Sequence, residues 1–419
     1  MKYIVIIGDG MADWQCEELD GLTPLQKAKT PNMDKLAVQG TIGMVSTVPE
    51  GFEPGSDVAN LSILGYNPVQ YYCGRAPLEA ASMGVALKDN DAAYRCNLVY
   101  IDESGTMVDY SAGHISTDEA RELIIDLDKH LGEDKIRFYP GVSYRHLMVW
   151  EDGDISFICT PPHDITGKNS LKFLPKFVSK KSVEQTMKTA IREGYEAFKR
   201  HKLEQLISKS KSILKDHKIN KNRIEKGKNP ANSIWLWGQG RKPLMPKFKD
   251  KYGINGALIS AVDLTKGLGV YAGFDVINVP GATGYIDTNY TGKAEYGLKA
   301  LETKDFLYLH IEAPDEAGHS GNVSDKIRAI EDIDQLVIGK ILDEAGRLGG
   351  FRILLMPDHA TPIKIRTHSS EPVPFIIYDS TAIKNNKDAA YSEKINERHD
   401  KIIINDGYQL MDYFINGRI

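Results

Sequence analysis

The chain has 419 residues, of which 42% are apolar and 26% charged, and its formal net charge is -5. This is ordinary globular composition, long enough for two or three domains. The slightly negative balance gives no basis for binding nucleic acid or an acidic membrane, and no stretch approaches about 18 uninterrupted apolar residues, so no membrane span is expected.

Met1-Lys2-Tyr3 leads straight into a strand-like run instead of a signal peptide's apolar core. Cys16, Cys73, Cys96 and Cys159 are widely spaced without a CxxC pair. Together these features predict a cytoplasmic protein whose thiols are reduced and mostly take part in packing.

In chain order, residues 3–8 read as a fully buried strand ending at Asp9. Thr30 to Leu36 reads as a helix start with Pro31 in the first turn. A further helix is predicted from Ser56 to Leu64. Beyond residue 72 the character changes. Alternation over Ala93–Tyr100 predicts antiparallel strands, and Val183 to about Leu214 carries apolar residues at helical spacing. The basic run Lys209, Lys211, Lys215, Lys218, Lys221, Arg223, Lys226 and Lys228 reads as a solvated face and linker. From about Ser233 strands and helices alternate again, with strands at 257–261, 275–279, 305–311, 352–356 and 373–378. A long helix is expected from Asp325 to Leu348. The layout predicts a doubly wound α/β domain assembled from residues 1–71 and 233–419, with an α+β domain inserted over 72–232. The layout allows some antiparallel strands at the sheet's margin.

The candidate chemistry lies at strand ends. Asp9 and Asp358 directly follow apolar runs, and Asp315 lies a few residues past another. In an open parallel sheet, ligands gather beyond the carboxyl ends of the strands, so residues far apart in sequence meet at one edge. His319, His359 and His368 accompany these carboxylates. Each fragment alone has a plain structural explanation: a chance D-x-x-x-H, a tight Asp9-Gly10 turn, a capping Asp358-His359. Their coincidence at predicted strand ends points instead to one site. Oxygen and nitrogen ligands of this mixture suit Zn²⁺ or Mn²⁺, and two such ions can clamp a phosphoryl group.

Ser56 belongs to the same reading. Gly55 leaves room for close backbone approach, and the helix that follows presents free N–H groups and a positive dipole end to an anion. A serine hydroxyl is a weak nucleophile that a divalent ion can activate. Without the ligand set, a simple N-cap serine would explain it equally well.

With these residues in place, the sequence resembles the cofactor-independent phosphoglycerate mutases of the alkaline phosphatase superfamily. The likeness is to their short, archaeal-type form, which also occurs in bacteria. The matching segments keep their order from end to end: Gly8–Asp13, Pro54–Leu61, Gly74–Ala80, Pro161–Ile165, Pro280–Gly284, Asp315–His319 and Pro357–His359. The resemblance implies an alkaline-phosphatase-like doubly wound sheet with an inserted domain that covers the site. It implies that Ser56 becomes phosphoserine and that two divalent ions are bound, Mn²⁺ or Zn²⁺, with Mg²⁺ or Co²⁺ as substitutes. By position in the motifs, Asp315, His319 and His368 resemble the ligands of one ion. Asp9, Ser56, Asp358 and His359 resemble those of the other. Lys266 resembles a lysine facing the transferring phosphate, and His114, Arg145, His163, Asp164 and Arg241 resemble contacts to a small phosphorylated substrate.

The implied reaction interconverts 3-phosphoglycerate and 2-phosphoglycerate without 2,3-bisphosphoglycerate. Two alternatives stay open at this level. The wording of Gly55–Ser62 and Glu79–Gly84 is similar to a bacterial subgroup proposed to phosphorylate homoserine, although no GxxxxGK[ST] segment is present. A metal-dependent phosphatase would use the same groups.

Overall fold

The computed structural model describes residues 1–133, 135–178 and 189–417. The start of the predicted helical stretch, residues 183–188, lies outside them. The described residues form two compact units, Met1–Tyr72 with Leu244–Ile419, and Cys73–Pro243.

The first unit is built on an eight-stranded sheet. Its strands are β1 (Lys2–Gly8), β2 (Thr41–Val45), β3 (Gly256–Ile259), β4 (Asp275–Val276), β5 (Phe306–Ile311), β6 (Phe351–Met356), β7 (Val373–Asp379) and β8 (Ile402–Ile404). They lie in the order β4-β3-β5-β1-β6-β7-β2-β8. The run Ile4-Val5-Ile6-Ile7 is fully buried, as expected of a β-branched strand with parallel partners on both sides and both faces covered. In the register, Gly8 lies opposite Ile311 and Ile7 opposite Met356. Asp9, Glu312 and Pro357-Asp358 therefore emerge side by side at one edge.

One face of the sheet packs Ile4, Ile6, Leu307, Leu309, Ile353 and Leu355 against apolar residues of helices Pro31–Gln39 and Tyr290–Ala300 and of the helical run after Val323. The other face carries Tyr3, Val5, Ile7, Tyr308 and His310. Phe414 of the C-terminal helix meets Tyr3 edge-on at 5.6 Å, and the Tyr308 hydroxyl reaches Asn60 in helix Ser56–Ile63. Helices on both faces make the sheet doubly wound.

Several expectations change. β7 is antiparallel to both β6 and β2, so the reversed strand is interior to the sheet and not at its margin. The reversal keeps the 357–372 connection at the edge where β6 ends, and His368 stays there with it. The Asp325–Leu348 helix is not uniform: Ile333–Gly339 is π-helical between α-helical Val323–Asp332 and Lys340–Glu344. Asn32 Nδ2 donates to the Asp334 carbonyl at 3.1 Å, and the Asp334 carboxylate accepts from Met33 N at 2.7 Å. A side chain that claims a carbonyl inside the ladder widens the turn at that point. Finally, the chain returns to the first unit at Leu244 and not at Ser233. Strand Ser233–Gly240 pairs antiparallel with Ala92–Ile101 inside the second unit.

That second unit joins an antiparallel sheet to helix Thr117–Leu131, whose start is closed by a Ser116/Glu119 capping box. The basic run is a solvated face, apart from buried Arg223 and half-buried Lys211, but it is not a linker. It lies on helices Thr189–Leu214 and Lys218–Glu225 and the turns around them. Arg223 is 2% exposed and donates to Glu119 at 2.7 Å and to the Asn229 carbonyl at 2.9 Å.

The loops at the functional edge are tied together by a buried ion pair. Lys326 and Asp13 meet at 2.6 Å, both side chains fully buried. Lys326 Nζ also donates to the carbonyls of Ala12 (3.2 Å) and Thr361 (2.8 Å), and the Asp13 carboxylate accepts from Ile363 N at 3.2 Å. Removing one partner leaves a buried charge without its counterpart. Lys326→Met is therefore expected to lower stability in urea unfolding by about 3–5 kcal/mol. The double variant with Asp13→Asn is expected to recover part of that loss.

Candidate active site

Each ligand candidate is placed by a short piece of local structure. Asp9 continues the β1 ladder, its N–H donating to the Ile311 carbonyl at 2.9 Å. Gly10 follows at φ +59°, and a Cβ there would lie 2.8 Å from Asp315 Cα. Only glycine lets the two loops approach so closely. Helix Ala313–Ser320 begins with Pro314 in its first turn and is closed by Gly321 in the left-handed region. Asp315 and His319 lie one turn apart on it and face the same way. The helix that follows Gly55 has that glycine as its N-cap, so Ser56 is its first helical residue and not a capping serine.

The structure brings all seven residues together. Asp315 Oδ2 lies 3.2 Å from His319 Nε2, Asp315 Oδ1 lies 3.5 Å from His368 Nε2, and the two Nε2 atoms are 3.0 Å apart. Beside them, Ser56 Oγ is 3.1 Å from His359 Nε2 and 3.4 Å from Asp9 Oδ2. His359 Nε2 is 3.5 Å from Asp9 Oδ1 and 3.6 Å from Asp358 Oδ2. Ligand bonds of about 2.0–2.2 Å in a tetrahedral zinc site put neighbouring ligand atoms roughly 3.3–3.6 Å apart. Most of these separations lie at or close to that range.

The donor chemistry agrees. His319 Nδ1 faces the Arg366 carbonyl at 3.0 Å and His368 Nδ1 faces the Pro54 carbonyl at 3.2 Å. A carbonyl only accepts, so both Nδ1 atoms carry the hydrogen. Two Nε2 lone pairs then face each other at 3.0 Å, an arrangement that calls for a positive charge shared between them. With no ion, a proton fills that role: burial opposes it, yet Asp315 lifts His319 to a pKa of about 9. Burial likewise disfavours ionised Asp315, but hydrogen bonds from His319 and His368 hold its carboxyl well below the usual range. Asp9 moves the other way. Burial and then the Asp358 and Asp315 carboxylates push its carboxyl well above the usual range, and its Oδ1 is buried without a hydrogen-bond partner. Three buried carboxylates of this kind need cations to be ionised together.

Supporting groups fix the ligands. Asn60 sits one turn after Ser56 and donates to the Ser56 carbonyl and to Asp358 Oδ2, both at 2.8 Å. The Tyr308 hydroxyl donates to Asn60 Oδ1 at 2.5 Å. Gly10 N and His359 N donate to Asp358 Oδ1 at 3.2 and 2.9 Å, Thr47 holds the Asp358 carbonyl at 2.6 Å, and Thr361 Oγ1 donates to Asp315 Oδ1.

The sequence reading assigned no role to Asn60, Tyr308, Thr361 or His310. A signal was present for two of them. Tyr308 and His310 are polar residues two apart in an otherwise apolar strand, and so share one face. Lys266 lies on helix Asp263–Ala272, just past β3. It is near enough to buried Lys293 for its charge, after burial itself, to help lower the Lys293 pKa to about 8.

The other predicted contacts lie in the second unit. His114 meets Tyr144 at 6.0 Å, Tyr144 meets Tyr110 at 5.7 Å, Tyr110 meets His163 at 6.0 Å and His163 meets Trp237 at 5.5 Å, all edge to face. Arg145 lies over Tyr144 at 5.5 Å, and Asp164 is 3.6 Å from His163. Arg95, which the sequence reading missed, lies over Trp237 at 4.1 Å and pairs with Glu79 at 2.9 Å. The Arg241 guanidinium donates to the backbone carbonyls of Asn90 and Gly153.

Residues 37–220 match the family described as 2,3-bisphosphoglycerate-independent phosphoglycerate mutase. The enzyme of that name from Methanosarcina acetivorans is 54% identical over 384 residues, 91% of each chain. The chain belongs to the 2,3-bisphosphoglycerate-independent phosphoglycerate mutases. Two solved structures of similar proteins match nearly the whole chain. The cofactor-independent phosphoglycerate mutase of Thermoplasma acidophilum is 26% identical, with a TM-score of 0.65 over 99% of both chains. A Pyrococcus horikoshii protein is 28% identical, with a TM-score of 0.79 over 99% of this chain and 96% of its own. Among the described residues of this mutase, no helix is long and apolar enough to cross a membrane.

Proposed function

We propose that the protein interconverts 3-phosphoglycerate and 2-phosphoglycerate by passing the phosphoryl group through Ser56, with two divalent ions, Mn²⁺ or Zn²⁺, held at the clustered ligands. One ion would be held by Asp315, His319 and His368, the other by Asp9, Ser56, Asp358 and His359. The observation that carries this reading is the facing pair of Nε2 atoms of His319 and His368, 3.0 Å apart beside Asp315, with the His368 ring 4.2 Å from that of His359, whose Nε2 lies 3.1 Å from Ser56 Oγ. When bound, such ions neutralise phosphoryl charge and lower the pKa of a coordinated hydroxyl.

The chain's own groups do the rest. Ser56 Oγ attacks the phosphorus of 3-phosphoglycerate; the new Oγ–P bond forms as the bond to the substrate's 3-oxygen breaks. Free N–H groups of helix Ser56–Ile63 and the charge of Lys266 bind the transferring group. Asn60 holds the serine backbone and Asp358 in one geometry. Glycerate keeps its place and turns, and its 2-hydroxyl takes the phosphoryl group back. The family resemblance assigns the glycerate end to His114, Arg145, His163, Asp164 and Arg241, whose guanidinium and imidazole groups suit a carboxylate and hydroxyls. Retention of glycerate separates the mutase from a phosphatase with the same centre.

The test is a coupled assay with Mn²⁺-loaded protein. 3-Phosphoglycerate should be converted to 2-phosphoglycerate at a rate that added 2,3-bisphosphoglycerate does not raise. Homoserine with ATP should give no phosphohomoserine. A strict requirement for the bisphosphate, or preferential phosphorylation of homoserine, would reject the reading.

A further inference from the structure

His310 is the one histidine at this edge that the two ligand sets leave out. It lies in β5, fully buried, between Leu309 and Ile311, which are fully buried too. Its register partner on β1 is Ile7, two residues before Asp9. Nε2 comes within 3.2 Å of Asp9 Oδ2, yet it makes no hydrogen bond there or elsewhere. The ring is not aimed at that oxygen. Asp9 Oδ1 is orphaned in the same way. Ligand atoms of Asp9, His310 and Asp358 all lie within 4.8 Å of one another. Nδ1 lies 3.4 Å from Ser260 Oγ, whose oxygen also accepts from Val262 N at 2.9 Å. A hydroxyl oxygen accepts twice, so Ser260 Oγ has room to accept from Nδ1 as well, in the tautomer that leaves Nε2 with its lone pair. The Lys293 ammonium holds the His310 carbonyl at 3.1 Å, which fixes the strand end.

A side-chain nitrogen buried without a partner is costly. A carboxylate oxygen buried without one is worse. His310 Nε2 lies 3.2 Å from the other oxygen of the Asp9 carboxylate, and ligand atoms of Asp9, His310 and Asp358 all lie within 4.8 Å of one another, so a shared cation satisfies both orphaned atoms together. We infer that His310 Nε2 is an additional ligand of the ion assigned to Asp9, Ser56, Asp358 and His359. The inference rests on the two-ion reading. It makes a four-imidazole centre, with two imidazoles at each ion.

The test counts ions and imidazoles separately. Metal analysis and X-ray absorption of the Zn²⁺- or Co²⁺-loaded native protein should give two ions per chain sharing four imidazoles. In His310→Asn, three imidazoles should remain. One ion should bind at least about tenfold more weakly, while the other keeps its affinity. Two ions sharing only three imidazoles in the native protein would overturn the role of His310 and leave the two-ion reading intact. Fewer than two ions in the native protein would overturn that reading itself. Should His310→Asn not fold, the native count alone decides. If it folds and keeps both affinities, the inference is wrong.

Discussion

Replacing Ser56 with alanine is expected to lower mutase turnover on the order of 10⁴-fold or more, the scale seen when a covalent nucleophile is lost. Among the described residues, Ser56 Oγ lies within 3.5 Å of both His359 Nε2 and Asp9 Oδ2, and it opens a helix whose free N–H groups point outward at the same place. Nothing about the fold depends on the hydroxyl: Gly55 is the N-cap, and Asn60 holds the Ser56 carbonyl, not its side chain. The variant should therefore keep its fold, and with Asp9, Asp358 and His359 still in place it should keep most of its ion and substrate affinity, so the loss appears mainly in kcat. Any slow hydrolysis of 3-phosphoglycerate should vanish with it, because both outcomes pass through phosphoserine. Near-normal turnover in this variant would exclude Ser56 as the phosphoryl carrier.

Metal removal is expected to have an effect of similar size. Divalent ions contribute several kcal/mol to phosphoryl transfer, so an exhaustively chelated sample should lose on the order of 10³-fold or more in rate. Re-addition of Mn²⁺ or Zn²⁺ should restore it. Stability should move in the same direction. Ions that bind only the folded state raise its melting temperature. Their loss also leaves Asp9, Asp315 and Asp358 buried together, with Asp9 driven toward its protonated form by burial and by its two neighbours. The chelated protein should melt lower, and the gap should close on titration with either ion. Full activity in a verified metal-free sample would contradict the two-ion centre.

Much of this was legible in the chain because strand ends announce themselves. Ile4–Ile7 and Ile353–Met356 are apolar runs that stop at an acidic residue, and the carboxyl edge of a parallel sheet brings such residues together. What was not legible depended on tertiary pairing. Strand Ser233–Gly240 has the composition of any buried strand, and only its hydrogen bonds to Ala92–Ile101 assign it to the second unit. The π-helical turn at Ile333–Gly339 is set by Asn32, some 300 residues away in sequence. Arg241 and Arg145 look alike in sequence. One donates to backbone carbonyls and the other lies over Tyr144. His310 was hidden because a histidine in an apolar strand is usually a core residue; what marks it is the lack of a partner at Nε2.

The most direct measurement is a rapid acid quench during turnover of 3-phosphoglycerate by the Mn²⁺-loaded protein, followed by peptide mass analysis. One phosphorylated peptide is expected, with the phosphate on Ser56, formed and consumed at rates that match turnover. Phosphate found on a histidine, or full turnover with no phosphorylated Ser56 at any quench time, would contradict the phosphoserine route.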